Sequence, residues 1–291
     1  MYKTDMKFPF NDVFPETELA FRAINEAAKK VVEIYNGGFE ASEKEDKSPV
    51  TAADLESHRI ITQFLRESSI TIVSEEGEEE QPQGAGGSRT LSKFWLVDPL
   101  DGTREFVDKN GEFTIMVALV DEVDGKPKVG LISHPLAGSV YIAQRGQGSF
   151  KLSSTGGGEW TKLHVSSATT LEGSRAVISR SHVSAEELDF IGSLKLSGYT
   201  RLGSSLKALR ICSGDAELYF AANTKIKQWD TCASYCLATE AGGVMTDMFG
   251  GDIVYRMGTA QHEKGIVITN GCIHDEFIKR CEPLRKKQFG S

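Results

Sequence analysis

Between residues 94 and 152 five strand-like segments follow one another, and this run constrains the fold more than any other feature. Residues 94–97, 113–120, 128–133, 139–143 and 149–152 carry the strand signals, and Asp124-Gly125 and Gly146-Gln147-Gly148 supply turns between them. That pattern predicts an antiparallel meander. Two helices precede it. Leu19, Ile24, Ala27, Ala28, Val31 and Tyr35 recur at helical spacing after Pro15 and stop at Gly37-Gly38, which predicts a helix over 16–36. Thr51 can cap a second helix, with Asp54 three residues on as in a capping box and Leu55, His58, Ile61 and Leu65 as its inward stripe. A short strand over 71–73 follows.

Beyond the loop at 153–159 the rhythm changes. Strands at 176–179, 218–221, 244–246 and 266–269 alternate with helices at 186–196, 205–212 and 231–241, and a last helix starts at His274. Alternation of that kind predicts an α/β layer after an α+β first half, with a boundary near residue 160. A chain of 291 residues has room for roughly two domains. Residues 77–92 turn acidic and then Gly-rich with nothing periodic to bury, which predicts a mobile surface insertion.

Several classes drop out. The longest apolar run, 115–120, is far short of the roughly 20 residues of a membrane-spanning helix. The first 15 residues lack a basic start and apolar core, so they do not read as a signal peptide, and the five cysteines read as reduced thiols in the cytoplasm. With 33 basic against 41 acidic residues, the net charge of −8 argues against a nucleic-acid binder. No GxGxxG, P-loop, GxSxG, CxxC or HExxH pattern occurs. Cys232 and Cys236 fit one buried helix face.

What stands out is acidic. Asp98-Pro99-Leu100-Asp101-Gly102-Thr103 follows the apolar strand 94–97, and taken alone it reads as a turn, because Asp, Pro and Gly are turn residues. Glu75-Glu76 end another strand, Asp54 lies in a helix's first turn, and Trp229-Asp230-Thr231 opens an Ala-rich helix. Each has a local explanation: Asp54 as a capping carboxylate, Asp230 as an N-cap, Glu75 as solvated charge. Together they can converge on one crevice, where carboxylates repel one another unless a hard cation such as Mg²⁺ lies among them. Lys207, Arg180, Lys225 and Lys227 are candidates for local positive potential toward a phosphorylated substrate.

The stretch from Trp95 to Thr103, Trp229-Asp230-Thr231, and Ser48-Pro49-Val50-Thr51-Ala52-Ala53-Asp54 resemble the lithium-sensitive, Mg²⁺-dependent inositol monophosphatase superfamily. The match runs from about residue 16 to 270. Val177-Ile178-Ser179-Arg180-Ser181-His182, Gly203-Ser204-Ser205-Leu206-Lys207 and Asn110-Gly111-Glu112-Phe113-Thr114 are similar to its CysQ-like branch, the 3′(2′),5′-bisphosphate nucleotidases. The 77–92 insertion and the tail after Asn270 depart from the family.

The resemblance implies a layered αβαβα sandwich of the inositol monophosphatase/fructose-1,6-bisphosphatase type. Residues 1–160 would form a metal-binding α+β domain and 161–291 a substrate-binding α/β domain, with the active site between them. It further implies two or three Mg²⁺ ions. Glu75, Asp98 and the Leu100 carbonyl would hold one ion; Asp98, Asp101 and Asp230 would hold another. Thr103 and Asp54 would orient and deprotonate the attacking water, and the Gly102 and Thr103 amides would cradle the phosphate. Ser179, His182 and Lys207 would contact the nucleotide, with Asp230 also touching substrate.

The implied partner is a small phosphorylated nucleotide, with no nucleic acid or membrane, and the chain is expected as a monomer rather than a dimer. The implied reaction is removal of the 3′-phosphate of adenosine 3′,5′-bisphosphate, its 2′,5′ isomer or the 5′-phosphosulfate form. The alternative is an inositol mono- or polyphosphate 1-phosphatase of the same mechanism. Water activated on one side and a departing oxygen stabilised on the other suit a monoester whose leaving group is poor.

Overall fold

The computed structural model describes residues 7–43, 49–77, 92–154, 158–259 and 261–290. Most of the expected 77–92 insertion lies outside these residues. The first half runs α1 (Pro15–Gly37), β1 (Ala41–Glu43), β2 (Pro49–Thr51), α2 (Ala52–Leu65), β3 (Thr71–Ser74), β4 (Lys93–Asp101), α3 (Thr103–Val107), β5 (Thr114–Asp121), β6 (Lys126–His134), β7 (Ser139–Gln144), β8 (Gly148–Ser153) and β9 (Trp160–Lys162). The second half runs β10 (Arg175–Ser179), α4 (Ala185–Ser193), β11 (Gly198–Leu202), α5 (Leu206–Cys212), β12 (Leu218–Ala221), α6 (Cys232–Glu240), β13 (Val244–Thr246), β14 (Ile266–Thr269), α7 (His274–Arg280) and α8 (Glu282–Phe289).

The meander is present: β4 to β9 pair in sequence order, antiparallel throughout, and β3 adds in parallel to β4 to complete a seven-stranded sheet. The second sheet has the order β11-β10-β12-β14-β13, with β10 parallel to both its neighbours.

Pleating sends alternate side chains to opposite faces, and both faces of the first sheet are covered. Trp95, Val97, Ile115, Val117 and Leu119 pack toward α1 and α2, while Phe94, Leu96, Met116, Ala118 and Val120 pack toward α5 and α6. Helices α5 and α6 meet the second sheet on their far side through Val177, Tyr219, Ile266 and Ile268. Its outer face, with Ile178, Phe220 and Val267, takes Ile191, Phe277 and Leu284 from α4, α7 and α8. Five layers result, in the order helix, sheet, helix, sheet, helix. A helix held between two sheets buries more than one stripe, and Cys232, Ala233, Ser234, Cys236, Leu237 and Ala238 of α6 are all buried. None of the helices among the described residues is long and apolar enough to cross a membrane.

Three expectations need correction. Asp98-Pro99-Leu100-Asp101 does not leave the strand in a turn: β4 continues through it with a register shift, Asp98 pairing with Met116 and Asp101 with Thr114. The proline is tolerated where the ladder is interrupted. Leu55 is exposed, because Ala53, Asp54, Ser57, Ile61 and Leu65 form the buried stripe of α2. The helix after Trp229 starts at Cys232 behind Thr231, so Asp230 is not its N-cap.

Candidate active site

The ends of β3, β4 and β10 and the starts of α2, α5 and α6 converge, and each contributes a polar side chain. At α2 the capping box forms as expected: the Thr51 hydroxyl accepts from the Ala53 amide, and Asp54 Oδ2 accepts from the Thr51 amide and hydroxyl, both at 2.7 Å. That leaves Oδ1, which accepts from Thr103 Oγ1 at 2.9 Å. One carboxylate therefore both completes the capping box and meets Thr103. Burial raises the Asp54 pKa against the pull of the Thr51 and Thr103 hydrogen bonds.

The irregular end of β4 is fixed from both sides. Asp98 Oδ1 accepts from the Leu100 amide at 3.0 Å, and Ser57 Oγ donates to the Pro99 carbonyl at 2.7 Å. The Leu100 carbonyl lies 3.2 Å from Thr103 Oγ1. Gly102 has φ +91°, and a Cβ there would stand 3.1 Å from both the Glu112 carbonyl and Ser204 Cβ, so only glycine suits this link into α3. Asp101 Oδ2 accepts from the Ser205 amide at 2.5 Å, joining the end of β4 to the start of α5. Asp230 Oδ2 accepts from the Lys227 amide at 2.8 Å, which explains why it does not cap α6. Glu75 follows β3, and its amide donates to the Val97 carbonyl at 3.1 Å.

Like charges crowd this end. Burial, then Glu75, Asp101 and Asp230, push the Asp98 carboxyl well above the usual carboxylate range. Burial raises Asp101 to about 6 although Lys207 and the Ser205 amide oppose it. Burial and then Asp101 raise Asp230. Among the described residues no three Asp, Glu, His or Cys side chains stand ready-gathered around one ion position. The donor set still fits a hard cation: only oxygens are offered, and buried carboxylates that repel one another are stabilised by positive charge. Glu75, Asp98, Asp101, Asp230 and the Leu100 carbonyl are the groups that would hold it.

Asp98, Asp101, Gly102, Ser179, His182, Lys207 and Asp230 all line one cavity of about 610 Å³ that runs into the second half of the chain. Ser179 Oγ accepts from the His182 amide at 3.1 Å, and burial lowers the His182 pKa, favouring a neutral imidazole. Lys207 is more enclosed than a surface phosphate contact: it is 8% exposed, its ammonium bonds the Ser204 carbonyl, and it lies 5.4 Å over the Tyr219 ring. Burial lowers its pKa while Asp101 and Glu105 oppose that. Arg180 offers no free potential to the cavity, because Glu112 holds it in a two-pronged pair at 2.7 and 2.5 Å. Ser205 and Thr114, which both bond Asp101, carry no sequence signal beyond their place in the quoted motifs.

The inositol monophosphatase family matches this chain over residues 12–285. The 3′(2′),5′-bisphosphate nucleotidase CysQ of Shigella flexneri is 36% identical over 238 residues, covering 79% of this chain and 89% of that protein. The crystal structure of CysQ from Bacteroides thetaiotaomicron matches with a TM-score of 0.70 at 28% identity, covering 87% of this chain and 96% of that one. The extragenic suppressor protein suhB from Bartonella henselae shares the fold, with a TM-score of 0.77 at 23% identity over 92% of this chain and 99% of that chain. The five-layer architecture and a family match that runs almost from end to end make this chain a member of the inositol monophosphatase family.

Proposed function

We propose that this chain is a Mg²⁺-dependent phosphatase that hydrolyses the 3′-phosphate of adenosine 3′,5′-bisphosphate to AMP and phosphate. One observation carries the reading: Asp98, Asp101 and Asp230 line a single cavity with the motif residues Ser179, His182 and Lys207, while Asp54, Glu75, Leu100 and Thr103 stand outside its lining. Its volume of about 610 Å³ is in the range of pockets that enclose a small ligand. The Shigella flexneri relative, named a 3′(2′),5′-bisphosphate nucleotidase, supports the choice of a nucleotide over an inositol phosphate. In this reading residues 1–160 supply the hydrolytic machinery and 161–291 most of the nucleoside contacts.

When bound, two or more Mg²⁺ ions would lower the pKa of water and neutralise phosphate charge. The chain's own groups do the rest. Thr103 Oγ orients a water toward phosphorus and takes its proton while passing its own to Asp54 Oδ1, 2.9 Å away; as the new P–O bond forms, the bond from phosphorus to the ribose 3′ oxygen breaks and that oxygen takes a proton from solvent water. Asp54 is kept in place for this by the Thr51 cap. The Gly102 and Thr103 amides cradle the phosphate oxygens. His182, neutral and beside Ser179, stacks on or hydrogen-bonds to the adenosine, and Lys207 balances the negative charge gathered around Asp101.

Reaction in oxygen-18 water tests the chemistry. The label is expected in inorganic phosphate, with unlabelled AMP as the other product. Label in the nucleotide would contradict attack at phosphorus.

A further inference from the structure

Beside the acidic cluster, two further carboxylates of the first half reach across to the second. Glu112, between α3 and β5, pairs with Arg180 through both guanidinium prongs, and its Oε2 also accepts from the Gly203 amide at 2.6 Å. Arg180 donates in turn to the Arg201 carbonyl at 3.0 Å. Glu105, buried on α3, accepts from Ser181 Oγ at 2.7 Å. The contact is close: a Cβ on Gly203 would lie 2.5 Å from Glu105 Cγ and 2.9 Å from the Glu112 carbonyl.

Both ends of this clasp are attached to the site. On one side, α3 begins at Thr103, directly after Gly102. On the other, Ser179 and His182 flank Arg180-Ser181, and Ser204, Ser205 and Lys207 follow Gly203. A part-exposed ion pair adds little to stability, so global stability is a poor reason for four converging interactions. Geometry is a better one: two turns already held in register need no ordering when a substrate that spans them binds, and such preorganisation is a gain in affinity.

We propose that Glu112 and Arg180, backed by Glu105 and Ser181, are positioning residues for substrate selectivity, fixing the nucleoside-recognising turns of the second half against the phosphate-cleaving turn of the first. The proposal rests on the nucleotide reading above. A substrate that spans both turns needs the clasp. A ligand that touches only the phosphate end does not.

The test compares the full chain with Glu112→Gln, Arg180→Gln, the double variant and Arg180→Lys, all in Mg²⁺. Steady-state kinetics on adenosine 3′,5′-bisphosphate and inhibition by inorganic phosphate are measured, with thermal unfolding as a check on folding. Each single Gln variant is expected to raise KM for the nucleotide about tenfold with a smaller change in kcat, and the double variant to add little more. The inhibition constant for inorganic phosphate should stay within about twofold, and Arg180→Lys should recover part of the loss. If Glu112→Gln does not fold, Arg180→Lys, which keeps the charge and loses the two prongs, carries the comparison. An unchanged nucleotide KM, or equal losses for nucleotide and phosphate, overturns the clasp while leaving the nucleotide reading intact. A wild-type chain inactive on the nucleotide overturns both.

Discussion

The Thr103 hydroxyl stands 2.9 Å from Asp54 Oδ1, while the other oxygen of the same carboxylate closes the capping box of α2 with Thr51. One side chain thus completes a helix cap and meets the start of α3. Thr103→Ala should lower kcat by about 10² to 10⁴ with a smaller change in KM, because it removes a proton-handling group. Thr103→Ser keeps the hydroxyl and should retain most of the rate. A Thr103→Ala defect confined to KM would contradict the assigned role.

Asp54→Ala should show two losses at once. The missing N3 half of the capping box costs about 1 kcal/mol of stability, and the missing proton acceptor lowers kcat as in Thr103→Ala. Chemical denaturation and kinetics on one preparation separate the two. A destabilised variant with full activity would leave Asp54 as a cap alone.

Asp98 is buried beside Glu75, Asp101 and Asp230, and its folded pKa lies well above the unfolded value. A group so shifted binds its proton more tightly in the folded chain. Its stabilising contribution is complete below about pH 4 and is lost as pH rises through the folded value. In EDTA near neutral pH, Asp98→Asn should therefore melt a few degrees above the wild type, and the gap should shrink as the solution is acidified. Mg²⁺ should raise the Tm of the wild type and hardly move that of the variant. A variant that melts below the metal-free wild type at every pH would refute the charge-crowding account.

His262 gives a pH effect of opposite sign. Its Nε2 lies 2.7 Å from Thr231 Oγ1, which also meets Tyr255 Oη at 3.1 Å, and burial holds the ring pKa at about 4. The unfolded imidazole titrates near 6.5, so the stability from burying the neutral ring is present above that value and lost as pH falls toward about 4. The advantage of the wild type over His262→Gln in denaturant unfolding should narrow over that window. A constant difference would show that the ring does not titrate as described.

The sheets were legible because both have strands with strong apolar patterns, and β5, buried on both faces, reads as an almost continuous apolar run. Strand β11 was not, since Gly198, Tyr199 and Thr200 on this sheet edge are exposed and bury no periodic face. The end of β4 misled for a physical reason: proline, aspartate and glycine serve a strand irregularity as readily as a turn, and only the pairing of Asp101 with Thr114 distinguishes them. The acidic candidates were visible as residue types at element ends. The contacts of Glu112 with Arg180 and Gly203 span 68 and 91 residues, and no local pattern encodes them.

Phosphate release from adenosine 3′,5′-bisphosphate and from inositol 1-phosphate, with Mg²⁺ and after EDTA, measured on the wild type and on Asp101→Asn, distinguishes a metal-dependent nucleotidase from its alternatives. Release is expected to be rapid from the nucleotide with Mg²⁺, much slower from inositol 1-phosphate, and almost absent from either after EDTA or in folded Asp101→Asn. Preference for inositol 1-phosphate, or undiminished turnover without a divalent cation, would contradict that reading.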